Sequence, residues 1–229
     1  MKRCPHTQTR QRGAALIVAL LMLIVLLMLG TSAVHIGLQS EKMSRNRRDR
    51  QIAWQAAEAA LLDAEYDIGN PHSPRYPLFG QTLPILPGSC GGGTASAGIC
   101  RPAIGALHPL WHGMIATDGQ PAPATVAYGR YSGRFMQSGD GTRPAFPPHY
   151  LIEILASTAQ TGGPQKALQD RCYRISAIGF GPDQNTRVML QSVFRRASAA
   201  GKSDISNISD ISKTTENFST RLSWREIFD

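Results

Sequence analysis

The chain has 229 residues, enough for one ordinary globular domain with accessory segments, and a formal charge of +8. That charge is uneven: Lys2, Arg3, Arg10 and Arg12 crowd the start, and Lys42, Arg45, Arg47, Arg48 and Arg50 follow an apolar run. Basic clusters flanking a hydrophobic segment suit a membrane better than DNA, and neither zinc-finger spacing nor an aromatic-rich RNA motif is present, which argues against nucleic acid as a ligand.

Residues 1–13 form a short leader with four cations and no acid. From Ala14 to Val34 the chain reads AALIVALLMLIVLLMLGTSAV without a charge, close to the ~20 residues that a helix needs to cross a bilayer. Such a segment must be helical, because backbone groups in lipid have to bond internally. A cleaved secretory signal would have a shorter apolar core and a small-x-small site behind it; here HIGLQSEKM follows, a poor site. The segment is then either a plain signal anchor or one cut on its leader side. Arg12-Gly13-Ala14 favours the second, because it resembles the prepilin peptidase site, where a basic leader is removed after glycine and the new N-terminus is methylated. On that resemblance Gly13 and Ala14 are the processing residues. Loss of the four leader cations lowers the formal charge from +8 to +4.

Residues 35–68 continue the helix. Between Gln51 and Ile68 the apolar positions Ile52, Ala56, Ala59, Leu62 and Tyr66 recur at helical spacing, widened by Trp54, Ala57 and Leu61, with Glu58, Asp63, Glu65 and Asp67 among the remaining positions. Alanine is abundant, and Gly69-Asn70-Pro71 supplies the stop. Joined to the anchor this predicts one helix of about 50 residues, roughly 80 Å long, with Gly30 and Gly37 as points of bending. Its stripe is expected to pack on the protein's own sheet rather than on a partner helix.

The stretch RGAALIVALLMLIVLLMLG, followed by SEKMSRNRRDRQIAWQAAEAALLDAEYDI, resembles the N-terminal region of the PilX family of type IV pilus minor pilins. The block Glu41 to Asn46, Asp49-Arg50 and Gln55 to Leu61 carry the likeness, which covers about residues 10–68. A weaker likeness returns at Tyr150-Leu-Ile-Glu and from Cys172 to Gly181, and ends near Arg196. The resemblance implies a pilin-like α+β fold: a long N-terminal helix, half transmembrane and half amphipathic, packed on a C-terminal antiparallel β-sheet. Major pilins carry phenylalanine first and glutamate fifth in the mature chain; here these positions are Ala14 and Val18. That glutamate offsets the N-terminal charge of a neighbouring subunit in the apolar filament core, where an unpaired charge costs several kcal/mol. Val18 cannot do so, and a subunit with none ahead of it would not need to. This suggests a place at or near a pilus tip.

Residues 69–148 hold most of the glycine and proline and read as a long surface loop region, with a short strand in Ala124 to Phe135. Three cysteines lie outside the leader and its Cys4. Outside the cytoplasm disulfides persist. Cys90 and Cys100 bracket a glycine-rich loop and are the first pairing, with Cys172 pairing to either as the competitor; the sequence leaves this open. Residues 149–196 contain the β-prone Tyr150 to Leu155. The alternating segments Tyr173 to Phe180 and Arg187 to Phe194, joined by GPDQNT, read as a hairpin. Residues 197–229 form a polar tail, disordered in its first part, whose Leu222, Trp224, Ile227 and Phe228 either dock or stay free.

No nucleophile elbow, phosphate loop, dinucleotide fingerprint or zinc-protease helix is present, so no catalytic residue, metal or cofactor is expected and the chain does not read as an enzyme. His108 and His112 are separated by Pro109, and Asp183 to Asn185 read as a plain turn rather than a calcium loop. The resemblance implies a minor pilin that starts or regulates pilus assembly, with twitching motility and adhesion. Its partners would be the major pilin, other minor pilins and the prepilin peptidase, and it would pass once through the inner membrane with its C-terminal domain in the periplasm. The alternatives are a pseudopilin at the tip of a type II secretion filament, or a bitopic membrane protein with an external binding domain.

Overall fold

The computed structural model describes residues 14–103, 105, 109–155, 171–196 and 219–227. The chain divides into two compact units, Met1–Arg47 and Arg48–Asp229. One helix, α1 (Ala14–Gly69), contributes to both and stays helical through Gly30 and Gly37, the two expected points of bending.

In the first unit α1 is an apolar rod whose large side chains from Leu16 to Leu29 are exposed. Its two hydroxyls bond the helix itself, Thr31 Oγ1 and Ser32 Oγ each donating to the Met28 carbonyl at 2.9 Å. That satisfies them without water, as a lipid-facing helix requires.

The second unit is an α+β layer structure, in which the C-terminal part of α1 covers one face of an antiparallel-rich sheet. Among the described residues the sheet has seven strands: β1 (Ser89–Cys90), β2 (Ile99–Arg101), β3 (Val126–Ala127), β4 (His149–Ile154), β5 (Cys172–Phe180), β6 (Arg187–Arg195) and β7 (Thr220–Ile227). The order is β1-β2-β4-β5-β6-β7, with β3 on β4; only the short β2–β4 pairing is parallel. The β5–β6 hairpin has Ala177 opposite Leu190 and Ile178 opposite Met189. Its turn is closed by the Asp183 carboxylate, which accepts from the Asn185 amide at 2.7 Å.

Strand alternation places Tyr173, Ile175, Ala177, Val188 and Leu190 against the helix. Ile178, Phe180 and Met189 face the other way, where Met114 and Phe146 cover them. The helix meets this sheet with part of the stripe the sequence suggests, Ala56, Ala57 and Leu61, rotated towards its smaller residues. Ala53, Ala56, Ala57, Ala60, Leu61, Ala64 and Ile68 are buried, whereas Leu62 is exposed and Ile52, Ala59 and Tyr66 are only half-buried. The cause is closeness of approach. A Cβ on Gly179 of β5 would stand 2.1 Å from the Ala53 carbonyl oxygen and 2.3 Å from the Ala57 nitrogen. Backbone nearly touches backbone there, so the contact selects small residues.

Residues 69–148 are more than a surface loop. They supply β1 to β3, and Phe79, Ile85, Ile99, Met114 and Val126 from them are buried. The strand expected across Ala124 to Phe135 is confined to Val126–Ala127, because the backbone turns at Gly129 (φ 81°) and Gly133 (φ 72°). The last part of the tail docks. Thr220–Ile227 pairs with β6 along the sheet edge, bringing Leu222, Trp224 and Ile227 onto the sheet, while Phe228 and residues 197–218 lie outside the described residues.

Candidate functional site

Among the described residues, the chemistry-bearing side chains of the second unit hold its loops and its last strand against α1. Four acidic residues of α1 do this work, in two pairs.

The first pair is Asp63 and Asp67, one turn apart and each only 1% exposed. Asp67 takes the Arg75 guanidinium on one oxygen, with Arg75 Nε at 2.8 Å and Nη2 also bonded, and the Ser73 hydroxyl on the other at 2.7 Å. The Tyr150 hydroxyl of β4 reaches the same carboxylate at 3.3 Å. Burial, and then the Asp67 charge, push the Tyr150 phenol well above its ordinary pKa, so it stays a neutral donor. Arg75 continues outward. Its Nη1 donates to the Ala97 carbonyl at 2.5 Å, and its plane lies 3.8 Å from the centre of the Tyr131 ring. Asp63 accepts from the Gly129 amide at 2.8 Å and from the Ser132 hydroxyl. Two carboxylates thus fasten three separate loops, around residues 73–75, 95–97 and 129–132, to one helix face.

The second pair, Glu58 and Glu65, holds β7. Arg221 donates through Nη1 to Glu58 at 2.8 Å and through Nε to Glu65 at 2.7 Å. Burial opposes the Arg221 charge, but the Glu65 and Glu58 carboxylates outweigh it and raise its pKa.

The loops fastened this way carry two exposed apolar residues, Leu86 and, most exposed, Phe135 at 84%. They also carry a covalent closure: Cys90 of β1 and Cys100 of β2 are directly opposed and disulfide-bonded, with Cα atoms 3.9 Å apart. Cys172 stands half-buried at the start of β5, outside that bond. Just before β3, the Thr125 hydroxyl donates to the Ala122 carbonyl at 2.6 Å and so accepts from Nδ1 of His149, the first residue of β4, at 2.8 Å. Burial lowers the His149 pKa to about 4.

Of the residues singled out in the sequence, Gly13 and His108 lie outside the described residues. Ala14 is the first residue of α1, and Val18 is an exposed apolar side chain on the same rod. His112 sits in a short 3-10 helix, Leu110–Met114. Among the described residues no group of three or more His, Cys, Asp or Glu is placed to hold a metal ion. The residues that sequence reading missed are Asp63, Asp67 and Arg75. The available signal was a pair of aspartates i, i+4 on an alanine-rich helix, whose partners are scattered through loops.

Residues 12–62 match the family described as PilX N-terminal, and residues 40–196 match type IV pilus assembly protein PilX C-term. No curated protein and no solved structure matches the chain.

Proposed function

The chain belongs to the PilX family of type IV pilus assembly proteins, and from that premise we propose that it is a minor pilin that initiates or regulates pilus assembly from a place at or near the tip. The observation that carries this reading is α1 itself. One uninterrupted helix supplies an apolar rod with exposed side chains from Leu16 to Leu29, then the alanine face that carries the sheet. Such a rod suits first an anchor in the inner membrane and then a packing element among the helices of other pilus subunits. The head beyond it would face the periplasm, where a Cys90–Cys100 disulfide is stable. Ala14 and Val18 leave the mature N-terminus without the carboxylate that a subunit inside the shaft offers its neighbour, which supports the tip position. Twitching motility and adhesion follow from pilus assembly and retraction, with Leu86 and Phe135 as exposed contacts on the head.

The test is processing. The chain is expressed with and without a prepilin peptidase, and its N-terminus is read by mass spectrometry. A chain starting at methylated Ala14 only when the peptidase is present is the expected result. An intact leader in both strains would favour instead a bitopic membrane protein with an external binding domain. Immunogold labelling then tests position: label distributed along pilus shafts would overturn the tip assignment.

A further inference from the structure

The open end of the β5–β6 hairpin carries a like-charge pair. Its last paired residues are Cys172 and Arg195, so the next positions in the same register are Arg171 and Arg196, opposite each other. By strand alternation both lie on the side of Tyr173 and Phe194, the side that faces α1. Like charges directly opposite across two strands are destabilising. Among the described residues neither arginine is relieved by an ion pair, although Arg50, Arg174 and Arg221 each find a carboxylate.

Both guanidiniums converge instead on the short 3-10 helix Tyr76–Gly80 and the residue after it. Arg171 Nη1 donates to the Gln81 carbonyl at 3.0 Å. Arg196 lies over the Tyr76 ring, 3.7 Å from its centre, and a Cβ on Gly80 would meet its Nη1 at 3.2 Å. Beside them the Tyr173 hydroxyl donates to the Phe79 carbonyl. Burial raises the pKa of this phenol and the Arg171 and Arg196 charges act against burial, so both cations stand near one oxygen.

Most of this donor set is left over. A guanidinium has five N–H donors; the Gln81 carbonyl takes one from Arg171, and stacking on Tyr76 uses the face of Arg196 rather than its N–H edge. Both arginines are half-buried, held in place yet open to solvent. Where a fold breaks a local rule without compensating it, a functional site is the expected reason. Two positive charges here lack their counterpart.

We propose that Arg171 and Arg196, walled by Tyr76, form a binding site for a phosphate monoester. Such a group carries a charge of about −1.5 to −2 at neutral pH, which matches two cations, whereas a carboxylate would leave one uncompensated. Its three oxygens accept from both guanidinium edges at once. The monoester arrives on a soluble molecule or on a lipid headgroup. The site is separate from the carboxylate clamps and does not depend on where in a pilus the subunit stands.

Glycerol 3-phosphate, titrated calorimetrically into the detergent-solubilised full chain, tests this, with acetate as the comparison. Saturable binding is expected, weakened about tenfold or more by Arg171→Gln or by Arg196→Gln, and unchanged by Arg143→Gln, an exposed arginine elsewhere. Arg196→Lys, which keeps the charge and loses the fork, should also bind more weakly than the parent. An intact Cys90–Cys100 disulfide and a cooperative thermal transition show that each variant is folded. Phosphatidic acid in the micelle competes if a lipid is the source and leaves binding unchanged if a soluble phosphate is; either result supports the site. The proposal is overturned if the parent shows no saturable binding, if acetate binds as tightly, or if the folded double variant Arg171→Gln, Arg196→Gln binds like the parent.

Discussion

Asp67 on the last turns of α1 and Arg75 in the following loop form an ion pair in which both side chains are 1% exposed. The helix ends at Gly69, and the chain doubles back so that the arginine returns to the carboxylate eight residues earlier. The pair joins further parts of the loop region, since Arg75 also holds the Ala97 carbonyl and lies against Tyr131.

Removing one partner of a buried pair leaves the other charged and without compensation. Arg75→Ala and Asp67→Ala are each expected to destabilise the head by about 3–5 kcal/mol. Arg75→Lys should recover only part of the loss, because an ammonium cannot satisfy Asp67, the loop carbonyl and the ring face at once. Denaturant unfolding of the detergent-solubilised chain measures this. An Arg75→Ala chain as stable as the parent would show that the pair does not organise the loops.

Gly179 tests the closeness of the helix to the sheet. Gly179→Val should cost several kcal/mol, at or above the usual range of about 1–3 kcal/mol for overpacking, because the obstacle is helix backbone that cannot rotate aside. Gly92→Ala, where an added Cβ meets nothing within 4 Å, should fall within about 0.5 kcal/mol of the parent. Thermal unfolding midpoints of the two variants give the comparison directly.

His149 predicts a pH dependence whose sign follows from its depressed pKa. The unfolded histidine takes up a proton near pH 6.5 and the folded one only near pH 4. Between those values the unfolded state binds more protons, so stability falls as the pH drops through that window, by at most about 3 kcal/mol for this group. Other groups titrate there too, so the quantity to measure is the difference between the parent and His149→Gln from pH 7 to pH 4. A difference that stays constant across the window would contradict the burial of a neutral ring.

The Cys90–Cys100 bond closes a loop with a sequence separation of 10. Chain-entropy arguments give such a closure about 2–3 kcal/mol. Reduction, or the paired change Cys90→Ser and Cys100→Ser, should therefore lower the unfolding midpoint without unfolding the head, because Asp63 and Asp67 still hold the neighbouring loops. Complete unfolding on reduction would mean that the carboxylate clamps are weaker than their burial implies.

The amino-acid sequence by itself determined the long helix, its apolar and polar halves and its stop at Gly69, because these depend on local composition and on a charge-free run long enough for a bilayer. It determined the β5–β6 hairpin as well, since period-two alternation and a turn of Gly, Pro, Asp and Asn are local signals. Tertiary structure alone decided how the apolar stripe of α1 is rotated on the sheet. Residue type favoured Leu62 and Tyr66, but the near-contact of Gly179 with the backbone at Ala53 and Ala57 turned the helix onto its alanines. It also decided that Asp63 and Asp67 lie inside while Glu58 and Glu65 hold the final strand. Their partners Arg75, Gly129, Ser132 and Arg221 are remote in sequence or sit in segments without periodicity. A carboxylate on a helix has the same local pattern whether it faces water or a guanidinium, and only the folded chain brings the guanidinium to it.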